Sequence, residues 1–314
     1  MRRVCAFTGH LGFAAGALTL IPISLAKMWW PFELFTHFPL QYCAGLLVAL
    51  LCYIFAGHWR LATLVLLPLA AHGAKVVALY AESEKPQVHD ERLTLLSVNV
   101  LRFNERYDDV FNHIRSQNAD IVLLMEIDFD WMKRIEQAQL PYRIVIAEPR
   151  SDTSGIVLLD RGDIVEAAKI VTPGVEFTAP SIEATLCWRG ERMAFMGTHP
   201  SPPKGEWGAN ARNVQLAEIA EWAKKQTLPV VVIGDLNLTP FSPYFRDFVD
   251  ESGLVSSHEG FGYQWSWPVE IPLLAIPIDH CLHSPFLVTL QREIGSDIGS
   301  DHKPLKLVLA RARQ

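Results

Sequence analysis

Six short stretches of the chain carry side chains suited to acid–base chemistry: SVN (97–99), LLMEI (123–127), THP (198–200), GDLN (234–237), DH (279–280) and SDH (300–302). They supply Asn99, Glu126, His199, Asp235, Asn237, Asp279, Asp301 and His302. Histidine and aspartate can share proton transfer near neutral pH. Each stretch lies beside an apolar run. In VVVIGDLN, Asp235 and Asn237 are two apart, so on an extended segment both point the same way. One Asp or Asn after a strand is ordinarily a turn former or a helix cap. A lone histidine is more often a satisfied core or surface residue than a catalyst. The whole set, in one order and each beside an apolar strand, favours a shared pocket. Strand ends and the loops after them are where α/β folds collect catalytic groups.

The elements that must position these residues can be read from hydrophobic periodicity. Strands are expected at 93–100, 119–127, 142–149, 155–160, 229–235, 275–282 and 305–310. A hairpin is expected from 182–188 and 192–198, turning at Arg189-Gly190. Helical spacing covers 107–118, 129–139 and 207–226. Ser242-Pro243 marks another helix start, a capping residue followed by proline. Alternating strands and helices imply an α/β domain. No repeat or low-complexity tract interrupts it.

With these residues in place, the chain resembles the endonuclease/exonuclease/phosphatase superfamily, which includes DNase I-like nucleases, inositol polyphosphate phosphatases and neutral sphingomyelinases. Gly234-Asp235-Leu236-Asn237 and Ser300-Asp301-His302-Lys303-Pro304 are the most specific matches, and SVN and LLMEI support them in the right order. The resemblance covers roughly residues 92–310 and implies a four-layer α/β sandwich. It implies Glu126 as the main metal carboxylate, with Asn99 beside it and Asp301 nearby, all oxygen ligands suited to Mg²⁺ or Mn²⁺. It implies Asp235 on the attacking water, Asn237 on a phosphate oxygen, and His302 on the phosphate or a proton, held by Asp279. His199 corresponds to a second histidine of the DNase I-like branch, with Glu148 as its expected orienting carboxylate. Two departures stand out. Asp160-Arg161 replaces the usual Ser-Arg, and His199 is followed by Pro-Ser-Pro-Pro, a loop that would reshape the substrate entrance.

The first 85 residues differ from the rest. Apolar runs at 11–26, 38–57 and 59–80 are candidate membrane spans, for which about 20 apolar residues are needed. A signal peptide is the alternative for the first. Arg2 and Arg3 favour a cytoplasmic amino terminus, which places everything after residue 85 outside the cytoplasm. The linker is expected at 82–92, separating a membrane anchor (1–85) from a catalytic domain (86–314).

Six of the 28 Lys/Arg and three of the 34 Asp/Glu lie in residues 1–85, leaving 22 basic and 31 acidic residues and a formal charge of −9 beyond them. Such a balance argues against tight gripping of a duplex backbone. Cys187 and Cys281 are the two cysteines of this part, and their spacing does not decide whether they pair.

The reading is therefore a membrane-anchored, Mg²⁺- or Mn²⁺-dependent phosphoric-ester hydrolase, a phosphodiesterase in particular, acting on nucleic acid or phospholipid. Trp265 and Trp267 are candidates for the pocket rim, for a lipid contact or for the core. A non-catalytic membrane-tethered binding module is the alternative, disfavoured because no member of the catalytic set is missing. A transporter is disfavoured because the spans carry no paired polar set.

Overall fold

The computed structural model describes residues 1–81, 86–174 and 178–313. Residues 82–85 of the expected linker lie outside the described residues.

The chain opens with five helices: α1 (Arg2–Leu18), α2 (Leu20–Ser24), α3 (Trp30–Leu34), α4 (Pro39–Ala56) and α5 (Trp59–Ala78). Three helical stretches, Arg2–Ser24, Pro39–Ala56 and Trp59–Ala78, are long and apolar enough to cross a membrane. Leu46 and Tyr53 of α4 and Val65 of α5 form a small core of this bundle. Between α1 and α4 the contact is close. A Cβ on Gly12 would stand 3.1 Å from the Gly45 carbonyl oxygen, and one on Gly16 would stand 2.6 Å from Leu46. The small residues Gly12 and Gly16 permit this approach of the two helix backbones.

Beyond the bundle come β1 (Leu93–Asn99), α6 (Tyr107–Gln117), β2 (Ile121–Met125), α7 (Phe129–Gln137), β3 (Arg143–Glu148), β4 (Ile156–Asp160), β5 (Val165–Val171), β6 (Ser181–Trp188) and β7 (Glu191–Thr198). They are followed by α8 (Glu206–Lys225), β8 (Val230–Asp235), α9 (Pro243–Ser252), β9 (Val255–Ser256), β10 (Asp279–His283), β11 (Leu287–Ile294) and β12 (Leu305–Arg311). Two six-stranded mixed sheets result, ordered β11-β12-β1-β2-β4-β3 and β5-β6-β7-β8-β10-β9. Side chains from both, including Leu95, Leu123, Phe195, Ile233 and Leu307, fill the space between them. Sheet one is covered by α6 and α7 through Phe111, Ile114 and Trp131. Sheet two is covered by α8 and α9 through Leu216, Ile219 and Phe248. This is the expected four-layer α/β sandwich.

Central strands are almost wholly buried, as the apolar runs of β1, β2, β4 and β8 require. The expected strand at 275–282 is shorter, beginning at Asp279, with one isolated bridge from Trp267 to Ile276. Three strands went unread in the sequence: β5, β9 and β11. Each lies at a sheet edge, where one flank is free of a neighbour and polar side chains such as Glu166, Lys169 and Gln291 are tolerated. Asp160, at the departure from the family pattern, is buried and accepts from Arg143 at 3.0 and 2.8 Å, a structural pairing. Cys187 and Cys281 are both free.

Candidate active site

Sheet register brings the polar strand ends together. β1 and β2 run parallel with Asn99 opposite Met125, so Glu126 follows directly beyond the last pair. β8 and β10 run antiparallel with Asp235 opposite Asp279. Glu126 leaves its strand in the left-handed region, at φ 63°. A non-glycine residue there costs about 1–3 kcal/mol, and the turn directs the carboxylate off the sheet. Asn237 also has positive φ, 54°. Gly234 is obligatory in a different way: a Cβ there would lie 1.8 Å from the Thr198 carbonyl oxygen. The close approach of β8 to β7 that it permits sets Asp235 beside His199.

The resulting constellation is a connected set. The Asp235 carboxylate lies 3.3 Å from His199 Nε2 and 3.5 Å from His302 Nε2. His302 Nδ1 lies 2.9 Å from Asp279. Asn99 donates through Nδ2 to Glu126 at 3.2 Å and to Asp235 at 3.4 Å, bridging the two sheets. Asn237 donates its backbone N–H to Asp235 at 2.9 Å and one side-chain N–H to the Pro200 carbonyl at 2.9 Å. Its second amide hydrogen remains for a ligand. Ser300 Oγ donates to the Asn99 carbonyl and accepts from His302 N–H, tying the SDH turn to β1.

Electrostatics follow from burial and pairing. Burial opposes a charge on His302, but Asp279 and Asp235 outweigh it and raise its pKa to about 10. For Asp235 burial favours the neutral acid, while His302 and His199 outweigh it and lower the pKa to about 2. Burial likewise opposes charge on His199, and Asp235 overcomes it, raising the pKa above the ordinary value. Asp235 is thus a carboxylate between the cationic His302 imidazolium and a His199 ring whose protonated form it favours.

Glu126 and Asp301 are carboxylates of the cavity wall, oxygen donors of the kind a hard cation takes. Asp301 accepts from Trp267 Nε1 at 3.0 Å with one oxygen, while its other oxygen is buried without a partner. Asp301 and Glu126 line the same cavity. Asn99 presents its amide nitrogen to Glu126, because Leu101 N–H occupies its oxygen at 3.0 Å. In this arrangement Asn99 fixes the carboxylate rather than offering an oxygen beside it. A second group, Asp235, Asp279 and His302, has ligand atoms within 4.8 Å of one another. Their hydrogen-bonded chain already accounts for that proximity.

Glu148 corrects one expectation. Its carboxylate pairs with Arg150 at 3.3 Å, and His199 Nδ1 has no hydrogen-bond partner among the described residues. β3, which carries Glu148, is an edge strand of the other sheet. Trp267 reaches the pocket, whereas Trp265 faces away and lies under Lys303 Nζ, 3.4 Å from the ring centroid.

The cavity over these groups has a volume of about 340 Å³. Pro202 and Pro203 of the proline-rich loop line it, as that loop's position after His199 led us to expect. So do Leu34, at the end of α3, and His37 and Phe38 just after it, in the segment joining the first two apolar stretches. Sequence reasoning missed these three. It also missed Glu33 and Arg212, which hold that segment in place through a 2.6 Å ion pair between fully buried side chains. Ser242 donates to the other Glu33 oxygen at 2.7 Å, and His37 Nδ1 lies 3.0 Å from Thr239 Oγ1. Burial, reinforced by Arg212 against the pull of Glu33, lowers the His37 pKa to about 4, so the ring is neutral. The available signal was Glu33 itself, the one acidic residue before position 82.

The model of the Endonuclease/Exonuclease/phosphatase family matches residues 96–302. No curated protein matches the chain. Among solved structures, D. rerio TDP2 complexed with single strand DNA product is similar at 16% identity and a TM-score of 0.58, covering 70% of this chain and 99% of that one. The human Nocturnin catalytic domain with bound sulfate is similar at 16% identity and a TM-score of 0.58, covering 73% and 97%. A family protein from Bacteroides thetaiotaomicron is similar at 18% identity and a TM-score of 0.57, covering 73% and 100%.

Proposed function

The chain belongs to the endonuclease/exonuclease/phosphatase family, and from that membership we propose that it is a membrane-anchored, divalent-metal-dependent phosphoric-ester hydrolase, a phosphodiesterase in particular. The observation that carries this reading is Asp235, buried between His199 and His302 on the wall of a cavity that Glu126 and Asp301 also line.

Glu126 and Asp301 would hold the cation, Mg²⁺ or Mn²⁺, with Asn99 fixing Glu126. Such an ion would supply neutralisation of the charge that grows on the phosphoryl oxygens. Asp235, at a pKa of about 2, is a weak base. It orients a water by hydrogen bonding and takes the proton as the water oxygen bonds to phosphorus. The phosphorus–oxygen bond to the alcohol breaks, and His199 gives the leaving oxygen a proton. Asp235 returns a proton to His199 across their 3.3 Å contact. His302, kept cationic by Asp279, donates to a phosphoryl oxygen together with the free Asn237 amide hydrogen. Preorganised donors of this kind act where charge develops in the transition state.

The three apolar stretches serve as the anchor. Arg2 and Arg3 favour an amino terminus in the cytoplasm and the sandwich outside it. A neighbour of this fold carries a single strand DNA product, which supports nucleic acid as substrate. The acidic balance of the domain opposes tight duplex binding, and the anchor supports a phospholipid.

The test is hydrolysis of bis-p-nitrophenyl phosphate by the full chain in detergent micelles, with Mg²⁺ or Mn²⁺ and then with EDTA. We expect metal-dependent turnover that Asp235→Asn abolishes. Turnover that survives EDTA, or that Asp235→Asn retains, overturns the assignment.

A further inference from the structure

The catalytic cavity has two unlike parts. Its polar part is the constellation around Asp235. The same cavity is also lined by apolar side chains from two sources: Ile276 and Ile278 of the sandwich, and Leu34 and Phe38 of the anchor segment. Phe38 is the residue immediately before α4, the second stretch long enough to cross a membrane. The substrate cavity is therefore walled by a residue at the mouth of that stretch.

A second observation lies on the same side. Gln41, in the first turn of α4, donates to the Ala275 carbonyl at 3.1 Å. This sets the segment 271–275 beside the start of α4. Ile271, Leu273 and Leu274 of that segment are 51%, 85% and 49% exposed. Apolar side chains left open at the mouth of a membrane-length helix are placed to enter the interfacial layer. The same segment continues directly into Ile276 of the cavity wall. Exposed Leu273 and cavity-lining Ile276 thus belong to one short segment that is held beside the start of α4.

The arrangement is fixed. Glu33, Arg212, Ser242, His37 and Thr239 clamp the anchor segment to the sandwich. At the end of α5, Gly260 and Gly262 each donate an N–H to the Leu79 carbonyl, at 3.1 and 3.0 Å. An anchor that merely retained an enzyme would need neither contact.

We propose that the site takes phosphate esters of a lipid resident in the bilayer, with the phosphate at His302 and Asn237 and the first part of the apolar chain against Leu34 and Phe38. This rests on the hydrolase reading and on the anchor crossing a membrane. The anchor segment is accordingly a specificity element of the active site. A soluble phosphate ester would gain nothing from the apolar wall, and a nucleic-acid strand would place charged phosphates against it.

The test compares hexadecyl 4-nitrophenyl phosphate with methyl 4-nitrophenyl phosphate on the full chain in mixed micelles. Both share one scissile bond: water oxygen bonds to phosphorus and nitrophenolate leaves. We expect kcat/KM to favour the hexadecyl ester by at least about tenfold, since burying even a few methylenes supplies that much. In Leu34→Ser/Phe38→Ser the ratio should fall toward one. Equal kcat/KM for the two esters in the wild type overturns the proposal, as does a preference that persists in the folded double variant, which would belong to the micelle. Faster turnover of a single-stranded oligonucleotide than of the hexadecyl ester also overturns it and assigns the site to nucleic acid. A second measurement avoids any folding defect: hexadecyl phosphate should inhibit wild-type hydrolysis of the methyl ester far better than methyl phosphate does, and equal inhibition counts against a lipid. If neither ester is hydrolysed, the reaction reading fails by itself. Equilibrium binding of hexadecyl phosphate over methyl phosphate to the wild type then decides the lipid reading.

Discussion

Arg212 donates to Glu33 at 2.6 Å, and the same guanidinium donates to the carbonyl oxygen of Asn237 at 3.0 Å. One buried cation thus joins the anchor segment to the catalytic turn after β8. Ser242 and Thr239, which complete the clamp, follow in the same turn. The wall and the floor of the cavity are consequently held by a single hydrogen-bonded unit, and movement of one must disturb the other.

Removing one member of that pair should be costly. Arg212→Met leaves the Glu33 carboxylate buried without its counter-charge, for which about 3–5 kcal/mol is typical. Arg212→Met combined with Glu33→Gln removes both charges and should cost less than the single Arg212 change. Denaturant unfolding of the full chain in micelles, read as a double-mutant cycle, checks this. Equal stability of wild type and Arg212→Met would refute the clamp.

Asp279 should govern the alkaline limit of activity. His302 has a folded-state pKa of about 10 against an ordinary 6.5, with Asp279 the largest favourable cause. Its charged form is therefore stabilised by folding. The contribution is fully present below pH 6.5 and is lost as pH rises from there through 10. Wild-type stability should decline over that window, and Asp279→Asn should flatten the decline. In the same variant the alkaline limb of the pH–rate profile should move toward neutral pH, because His302 loses its proton sooner. An unmoved limb would mean that His302 is not the group whose proton is needed.

Glu126, expected as the main metal carboxylate, and Glu148, expected to orient His199, should behave oppositely. Glu126 stands at φ 63° on the cavity wall, tied to Asn99 and to Arg102 N–H. Glu126→Gln should weaken Mn²⁺ binding by at least about a hundredfold, the upper range for groups that merely support a ligand, and should remove metal-dependent turnover. Glu148 is paired with Arg150, and Glu148→Ala should leave turnover within about twofold. Calorimetric titration of Mn²⁺ alongside the rates separates lost metal from lost structure. Strong loss in Glu148→Ala would restore it as the partner of His199.

These contrasts show which features could be read without coordinates. The central strands announced themselves because burial on both faces demands unbroken apolar runs, as in VVVI before Gly234. The polar residues that end them were conspicuous against those runs. Edge strands such as β5 and β11 carry the polar residues that an exposed flank allows, so periodicity did not separate them from loops. Glu148 resembled an orienting carboxylate by order alone, and order does not fix the sheet on which a side chain lies. The Glu33–Arg212 pair spans 179 positions, and nothing local marks Arg212, on an otherwise ordinary helix, as a partner. Glu33 was visible only as a charge out of place in an apolar segment.

The packing of the anchor should reach the active site. α1 and α4 approach so closely that a Cβ on Gly12 meets the backbone oxygen of Gly45 at 3.1 Å, and backbone cannot swing aside as a side chain can. Gly12→Val adds two further methyls to that contact, and such overpacking typically costs about 1–3 kcal/mol. The two helices must then separate. The segment between them carries Glu33, Leu34 and Phe38, so separation strains the clamp and shifts the cavity wall, while Asp235, His199 and His302 remain held by the two sheets. We expect Gly12→Val to lower the thermal midpoint of the full chain and to reduce the preference for the hexadecyl ester. Gly45→Ala, at a position with open space around its Cβ, should do neither. Equal ester preference in Gly12→Val and wild type, with the midpoint lowered, would show that helix packing in the anchor does not set the wall of the catalytic cavity.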